Sequence, residues 1–270
     1  MKIFFVTIVK DGLPFIGWHY PIMRQLPFDW TWNVVEGTAA PEACTSWCAP
    51  VEPGLSSDGT TEMLSSLSAF DKRVRVFRNA WWHGKTAMLN AAMEWIHEPC
   101  LLWQIDADEI WSLAQVEAVV ALFKDQKKSG NVRNCARFFC NYFVGPDIVV
   151  KSRGRYGNNK VYEWHRVWKV EPGVRFKTHE PPCLEKFEEM PFTQEQTEEV
   201  GAVFDHYAYA TEAQVRFKQM YYGSKANKVG HLYKDAVDGW RKLQSNRVWP
   251  ADLKQFMHWV GDSVTVERLP

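Results

Sequence analysis

The stretch LLWQIDADEI, residues 101–110, decides the fold: an apolar run of strand character ends in three closely spaced acids, Asp106, Asp108 and Glu109. Alternate side chains of an extended segment point the same way, so Asp106 and Asp108 leave the chain on one side at the strand's C-terminal end. Two carboxylates aimed together suit a divalent cation. The chemistry that most often needs one there is departure of a nucleoside diphosphate, whose growing negative charge a metal neutralises as a Lewis acid. A D-x-D alone also marks a strand that simply ends in solvated acids; the apolar lead-in sets this one apart.

Working outward, residues 2–9 (KIFFVTIV) predict a first strand, and Pro14 opens an apolar-periodic stretch through Leu26 that suits a helix with proline in its first turn. Residues 32–35 predict a second strand closing on Glu36-Gly37. Residues 38–59, rich in Pro, Gly and Ser, predict a long loop that ends at Asp58-Gly59 before a helix to about residue 70. Residues 74–77 predict a third strand, and residues 84–96 a helix that buries the face carrying Met88, Ala91, Ala92 and Trp95. The acid-tipped run is then the fourth strand. This alternation predicts an α/β fold with a mixed, mainly parallel central sheet, flanking helices and ligands beyond the carboxyl ends of the strands. Lys10, Glu36, Asn79 and the D-A-D-E all fall at such ends. After a helix at about 113–127, strand-like runs at 136–143, 163–170 and 200–209 predict a mixed or antiparallel half. Residues 211 to about 260 predict a helical end, with Thr211 as N-cap.

Lys plus Arg balances Asp plus Glu at 32 each, which gives no electrostatic basis for binding nucleic acid or anionic membranes in general. The 14 tryptophans suit a protein that handles sugars, because flat apolar rings stack on sugar C–H faces; core packing is the competing use of each. The apolar run at residues 4–9 is too short to span a membrane and is followed directly by Lys10 and Asp11, so it reads as a strand and not as a signal peptide. The six cysteines lack paired zinc spacing, and reduced thiols in a cytoplasmic protein are expected. Peripheral contact with a membrane stays open.

These features resemble the GT-A glycosyltransferases, particularly family-two-like bacterial and viral members. The resemblance covers roughly residues 1–210, and the segments WQIDADEIW, EWHRVWKVEPGVRF, THEPP and FDHYAY carry it. It implies a catalytic domain at 1–210, with a nucleotide-binding half at 1–110 and an acceptor and catalytic half at 111–210, and a C-terminal helical extension at 211–270. It implies transfer of a sugar from a nucleotide-diphosphate sugar, with UDP the default, to a glycan or lipid-linked acceptor. Mn²⁺ or Mg²⁺ would bridge the diphosphate, bound by Asp108 with Asp106 near the ribose and the metal. A histidine from the later half completes such sites, here His206, with His179 the rival.

The resemblance further places Glu36 and Asp58 near base and ribose, although the usual contiguous Asp-Asp-Gly-Ser is absent and the 38–59 insertion separates the two. Lys10 is expected to belong to the donor site. So is Lys85, at the head of the third-strand helix where the dipole favours an anion, together with Asn90 one turn on. If the reaction inverts the sugar, which is the first choice, a carboxylate must take the acceptor's proton. Glu180 is expected in that role, with Glu163 and Asp205 as alternatives and Glu109 as a supporting or donor-sugar contact. Arg166 is a candidate diphosphate clamp, residues 152–159 (SRGRYGNN) a candidate lid, and Trp82, Trp111, Trp164 and Trp168 candidate sugar platforms. The competing readings are a nucleotidyltransferase, whose glycine-rich phosphate loop residues 10–17 lack, a dehalogenase-like phosphohydrolase, whose D-x-D ends the first strand, and a sugar-binding protein without turnover.

Overall fold

The structure, a computed structural model, describes residues 1–46, 48–126, 132–152, 164–223, 234–246 and 264–269. The chain divides into two compact units: Met1–Ala40, Glu52–Phe139 and Trp164–Phe204 form the first, and Pro41–Val51, Cys140–Glu163 and Asp205–Pro270 the second.

The first unit is built on β1 (Lys2–Val9), β2 (Trp30–Ala39), β3 (Val74–Trp82), β4 (Cys100–Gln104), β6 (Cys135–Phe138), β9 (Trp164–Val170) and β12 (Pro191–Phe192), in the order β12-β6-β9-β4-β1-β2-β3. Strands β4, β1, β2 and β3 run parallel, while β9 is antiparallel to β4 and to β6. The sheet is thus mixed and largely parallel, with helices on an α/β plan, as the sequence predicts. Its register aligns Val9, the end of β1, with Glu36 and Glu36 with Arg78, and β2 and β3 continue past that level to the pair Ala39 and Trp82. Helices α2 (Thr60–Phe70), α3 (Lys85–Met93) and α4 (Leu113–Asp125) connect the strands, and α5 (Gln194–Glu199) follows β12. The proline-led stretch forms a 3-10 turn at Phe15–Trp18 and a five-residue α1 (His19–Met23), and not one long helix.

Alternation decides which face each strand buries. Phe4, Val6, Val35, Leu102 and Trp168 join Met88, Leu89, Ala92 and Met93 of α3 in one cluster. Trp111 packs among Trp103, Phe138 and Phe204 at ring-centroid separations of 4.8–4.9 Å. Trp30, Trp32, Trp103 and Trp168 are fully buried, so much of the tryptophan excess is core. Each such ring buries 150–250 Å², about 4–6 kcal/mol of apolar transfer. Trp111 and Trp168 are therefore corrected from sugar platforms to packing residues.

In the second unit β14 (Val264–Arg268) and β7 (Cys140–Val144) flank β8 (Ile148–Ser152), both antiparallel to it, and β13 (Phe204–Tyr209) follows β7 in the sheet order. Helices α6 (Glu212–Gly223) and α7 (Ala236–Asn246) pair through Arg241 and Glu212. The tail is thus not wholly helical. The apolar run at 136–143 is two strands, β6 and β7, which part at Phe139 into different sheets. The candidate lid residues 153–159 and Glu163 lie outside the described residues, as does the side chain of Trp164.

Candidate active site

Just past β4 the chain turns through Asp106-Ala107-Asp108 into β5 (Glu109–Ile110). The turn is closed by its own acid: the Glu109 N–H donates to the Asp106 carbonyl at 3.0 Å, and the Asp106 N–H donates to Glu109 Oε2 at 3.3 Å. Two residues after β5, Ser112 starts α4 with a reciprocal capping box to Gln115, which stops the loop from extending further. Asp106, Ala107 and Asp108 stay half-buried, whereas Glu109 is fully buried.

Beneath the loop, Arg166 of β9 is 2% exposed. Its Nε donates to both Glu109 oxygens at 3.0 and 2.8 Å, its Nη1 to the His165 carbonyl, and its Nη2 to Asp106 Oδ2 at 3.3 Å. A buried charge is tolerable only when paired and hydrogen-bonded, and here both partners meet that condition. Arg166 is accordingly no diphosphate clamp, and Glu109 is a buried support and not a proton acceptor. One Asp106 oxygen answers the guanidinium, and the other lies 3.5 Å from the Gln104 amide.

Glu36 stands at the end of β2 with no exposure. Its carboxylate accepts from the Arg78 Nε at 2.9 Å, the Ser56 N–H at 3.2 Å and the Thr61 hydroxyl. Burial alone would raise its pKa; the hydrogen bonds from Thr61, Arg78 and Ser56 outweigh burial and hold it below the ordinary value. Glu36 thus faces its own chain, not an open base pocket. Gly37 beside it has φ +134°, and a Cβ there would lie 1.8 Å from the Asn79 carbonyl oxygen, so only glycine allows β3 this close.

The other expected donor residues divide in the same way. Lys10 donates to Thr38 Oγ1 at 2.6 Å and to the Glu52 carbonyl at 2.9 Å, tying the returning chain to β2. Asp58 accepts from the Leu13 and Thr60 N–H groups at 2.8 and 3.0 Å, joining the loop after β1 to the start of α2. Asn90 is buried, and its amide exchanges two hydrogen bonds with the Phe176 backbone at 3.0 and 2.8 Å, which ties α3 to the later chain. Lys85 is the first residue of α3.

His179 ends β10 (Phe176–His179), which pairs with β11 (Pro182–Leu184). It is buried, and its Nδ1 has no hydrogen-bond partner among the described residues. Burial, then the positive charges of Lys85 and Arg166, push its pKa well below the ordinary range, so the ring is neutral. Those couplings put His179, Lys85 and Arg166 in one neighbourhood of the first unit. Glu180 follows, half-buried in the turn to β11. His206 and Asp205 belong to the second unit, where the His206 ring lies 5.3 Å from that of Tyr142 and Asp205 accepts from the Asn141 amide at 2.9 Å.

The residue that pattern reading passed over is His19. Its Nε2 lies 3.1 Å from the carbonyl oxygen of Ala107, between the two aspartates. Burial lowers its pKa to about 4, opposed by that hydrogen bond and by the charges of Asp108 and Asp106. Among the described residues no three His, Cys, Asp or Glu side chains form a ready-made metal cluster. The donor set still fits a hard divalent cation: two half-exposed carboxylates supply protein oxygens, and diphosphate and water oxygens complete such sites.

The glycosyl transferase family 2 profile matches residues 54–169, a span that contains the acid loop and Arg166. No curated protein sequence matches the chain. Among solved structures, S. aureus TarS 1–349 is similar at 11% identity and a TM-score of 0.42, over 96% of this chain and 79% of that one. The same protein in complex with UDP-GlcNAc gives 11% identity and a TM-score of 0.40, over 97% and 80%. The matched span, residues 54–169, holds the acid-tipped fourth strand and the antiparallel β9 beside it, and over that span the chain is similar to family 2 glycosyl transferases.

Proposed function

We propose that the chain moves a sugar from a nucleotide-diphosphate sugar to a hydroxyl of a glycan or lipid-linked acceptor, with Mn²⁺ or Mg²⁺ held at Asp108 and Asp106. The observation that carries this reading is the half-exposed acid pair on a turn closed by Glu109 and braced by buried Arg166, inside the family 2 span. The cation, when bound, neutralises charge on the departing diphosphate. Asp108 is its main protein ligand and Asp106 the second, one Asp106 oxygen being shared with Arg166. Of the two histidines, His179 has the stronger support as a further ligand: its ring is neutral, as metal binding requires, and it belongs to the unit that carries the acid loop. Lys85, at the head of α3, adds positive charge and helix dipole for the phosphates.

Glu180 takes the proton of the acceptor hydroxyl as it attacks the anomeric carbon in an inverting displacement, and the nucleoside diphosphate leaves from the opposite face. UDP is the first nucleotide to test and the cytoplasm the expected location. No helix among the described residues is long and apolar enough to cross a membrane. The test is a thermal-shift panel of nucleoside diphosphates with and without Mn²⁺: stabilisation that needs both partners supports the reading. A panel in which no nucleotide shifts the midpoint in the presence of metal overturns it.

A further inference from the structure

The loop that presents the two aspartates is fastened at three backbone groups. Glu109 engages both the N–H and the carbonyl of Asp106, as described above. The third group, the Ala107 carbonyl, faces His19 Nε2 at 3.1 Å. A carbonyl oxygen only accepts, so the imidazole must donate, with its proton on Nε2.

His19 is itself held in place. It is 3% exposed, and its ring lies 5.7 Å from the ring of fully buried Trp32 at an interplanar angle of 50°. The Trp32 indole N–H in turn donates to Thr7 Oγ1 at 3.0 Å. A continuous series of contacts thus runs from β1 through β2 and α1 to the peptide between the metal-binding acids. That peptide is planar, and its plane ends at the Cα of Asp108. Holding the Ala107 oxygen therefore holds the Cα of Asp108, and leaves only that residue's own φ and side-chain rotations to set where its carboxylate points.

We infer that His19 is a positioning residue for the acid loop: by donating from Nε2 to the Ala107 carbonyl it sets the orientation of Asp108, and with it the affinity of the site for a divalent cation and a diphosphate. The inference rests on the function proposed above and deepens it. Removing groups that orient metal ligands typically costs about 10–100-fold in metal affinity, which sets the expected size.

The experiment measures Mn²⁺ binding by electron paramagnetic resonance, alone and with UDP, alongside the melting temperature of each variant. His19→Phe keeps an aromatic ring against Trp32 and removes the donor; it is expected to weaken Mn²⁺ binding by about 10–100-fold. His19→Gln places an amide N–H near the position of Nε2 and is expected to restore affinity to within about threefold of wild type. His19→Asn is too short to reach the oxygen, is expected to behave like the phenylalanine variant, and replaces it should the latter fail to fold. Wild-type affinity in a folded His19→Phe or His19→Asn variant overturns the inference and leaves the proposed function standing. Equal loss in the glutamine and phenylalanine variants also overturns it, by showing that packing and not the donated hydrogen bond matters. A wild-type chain that binds neither Mn²⁺ nor its UDP complex overturns the proposed function and this inference with it.

Discussion

Two acidic strand ends in the first unit have opposite fates. At the end of β2, Glu36 is fully buried, and the chain supplies its counter-charge from Arg78 and its hydrogen bonds from Thr61 and Ser56. Past the end of β4, Glu109 goes the same way, buried against Arg166, while Asp106 and Asp108 remain half-exposed above it. An acid whose positive partner is built into the fold serves the fold. One that stays half-exposed remains within reach of a cation from solution. The acid loop combines both kinds within four residues, so that Glu109 makes rigid what Asp108 presents.

The sharpest way to break this contrast is to neutralise the exposed member. Asp108→Asn is expected to lower turnover by about 10²-fold or more and to abolish metal-dependent nucleotide stabilisation, with its melting temperature unchanged. A melting temperature that falls as well would move Asp108 into the structural class. Arg166→Met tests the buried member: it takes the guanidinium counter-charge from buried Glu109 and is expected to cost about 3–5 kcal/mol in urea unfolding. Glu36→Gln keeps the shape and loses the charge, and is expected to cost about 1–3 kcal/mol while leaving Mn²⁺ affinity within about threefold of wild type. A large loss of nucleotide affinity without destabilisation would return Glu36 to the base pocket.

The smallest effect is the pH dependence of Glu36. Its folded pKa lies below the ordinary 4.5, so its stabilisation is complete above about that pH and fades as the pH falls through the folded value. Unfolding midpoints from about pH 6 down to about pH 3 should therefore converge for wild type and Glu36→Gln. A gap that widens on acidification would contradict the assigned direction.

Much of the first unit was readable because its strands are apolar runs set off by glycines and helical stretches, and because the acid loop is contiguous. Long-range partners were not. Arg166 lies 57 residues beyond Glu109, and nothing local in EWHRVW separates an interior guanidinium from a solvated one. Glu36 looked available because Ser56 reaches it from within the long insertion, and Thr61 and Arg78 from beyond it. His19 sits in a proline-interrupted segment where a histidine next to tyrosine carries no pattern, and its role exists only once Ala107 is brought to it. The run at 136–143 gave no sign of a change of sheet, since both strands it contains are equally apolar. The tail carries no strong signal for β14, whose partner β8 lies more than a hundred residues earlier.

The parting of β6 and β7 at Phe139 has a consequence for engineering. Because the second unit is assembled from three stretches of chain, Pro41–Val51, Cys140–Glu163 and Asp205–Pro270, it cannot be exchanged as a cassette by a single crossover. Transplanting it from a relative means moving three inserts together, and a chimera joined only near residue 205 would pair β14 of one parent with β8 of the other.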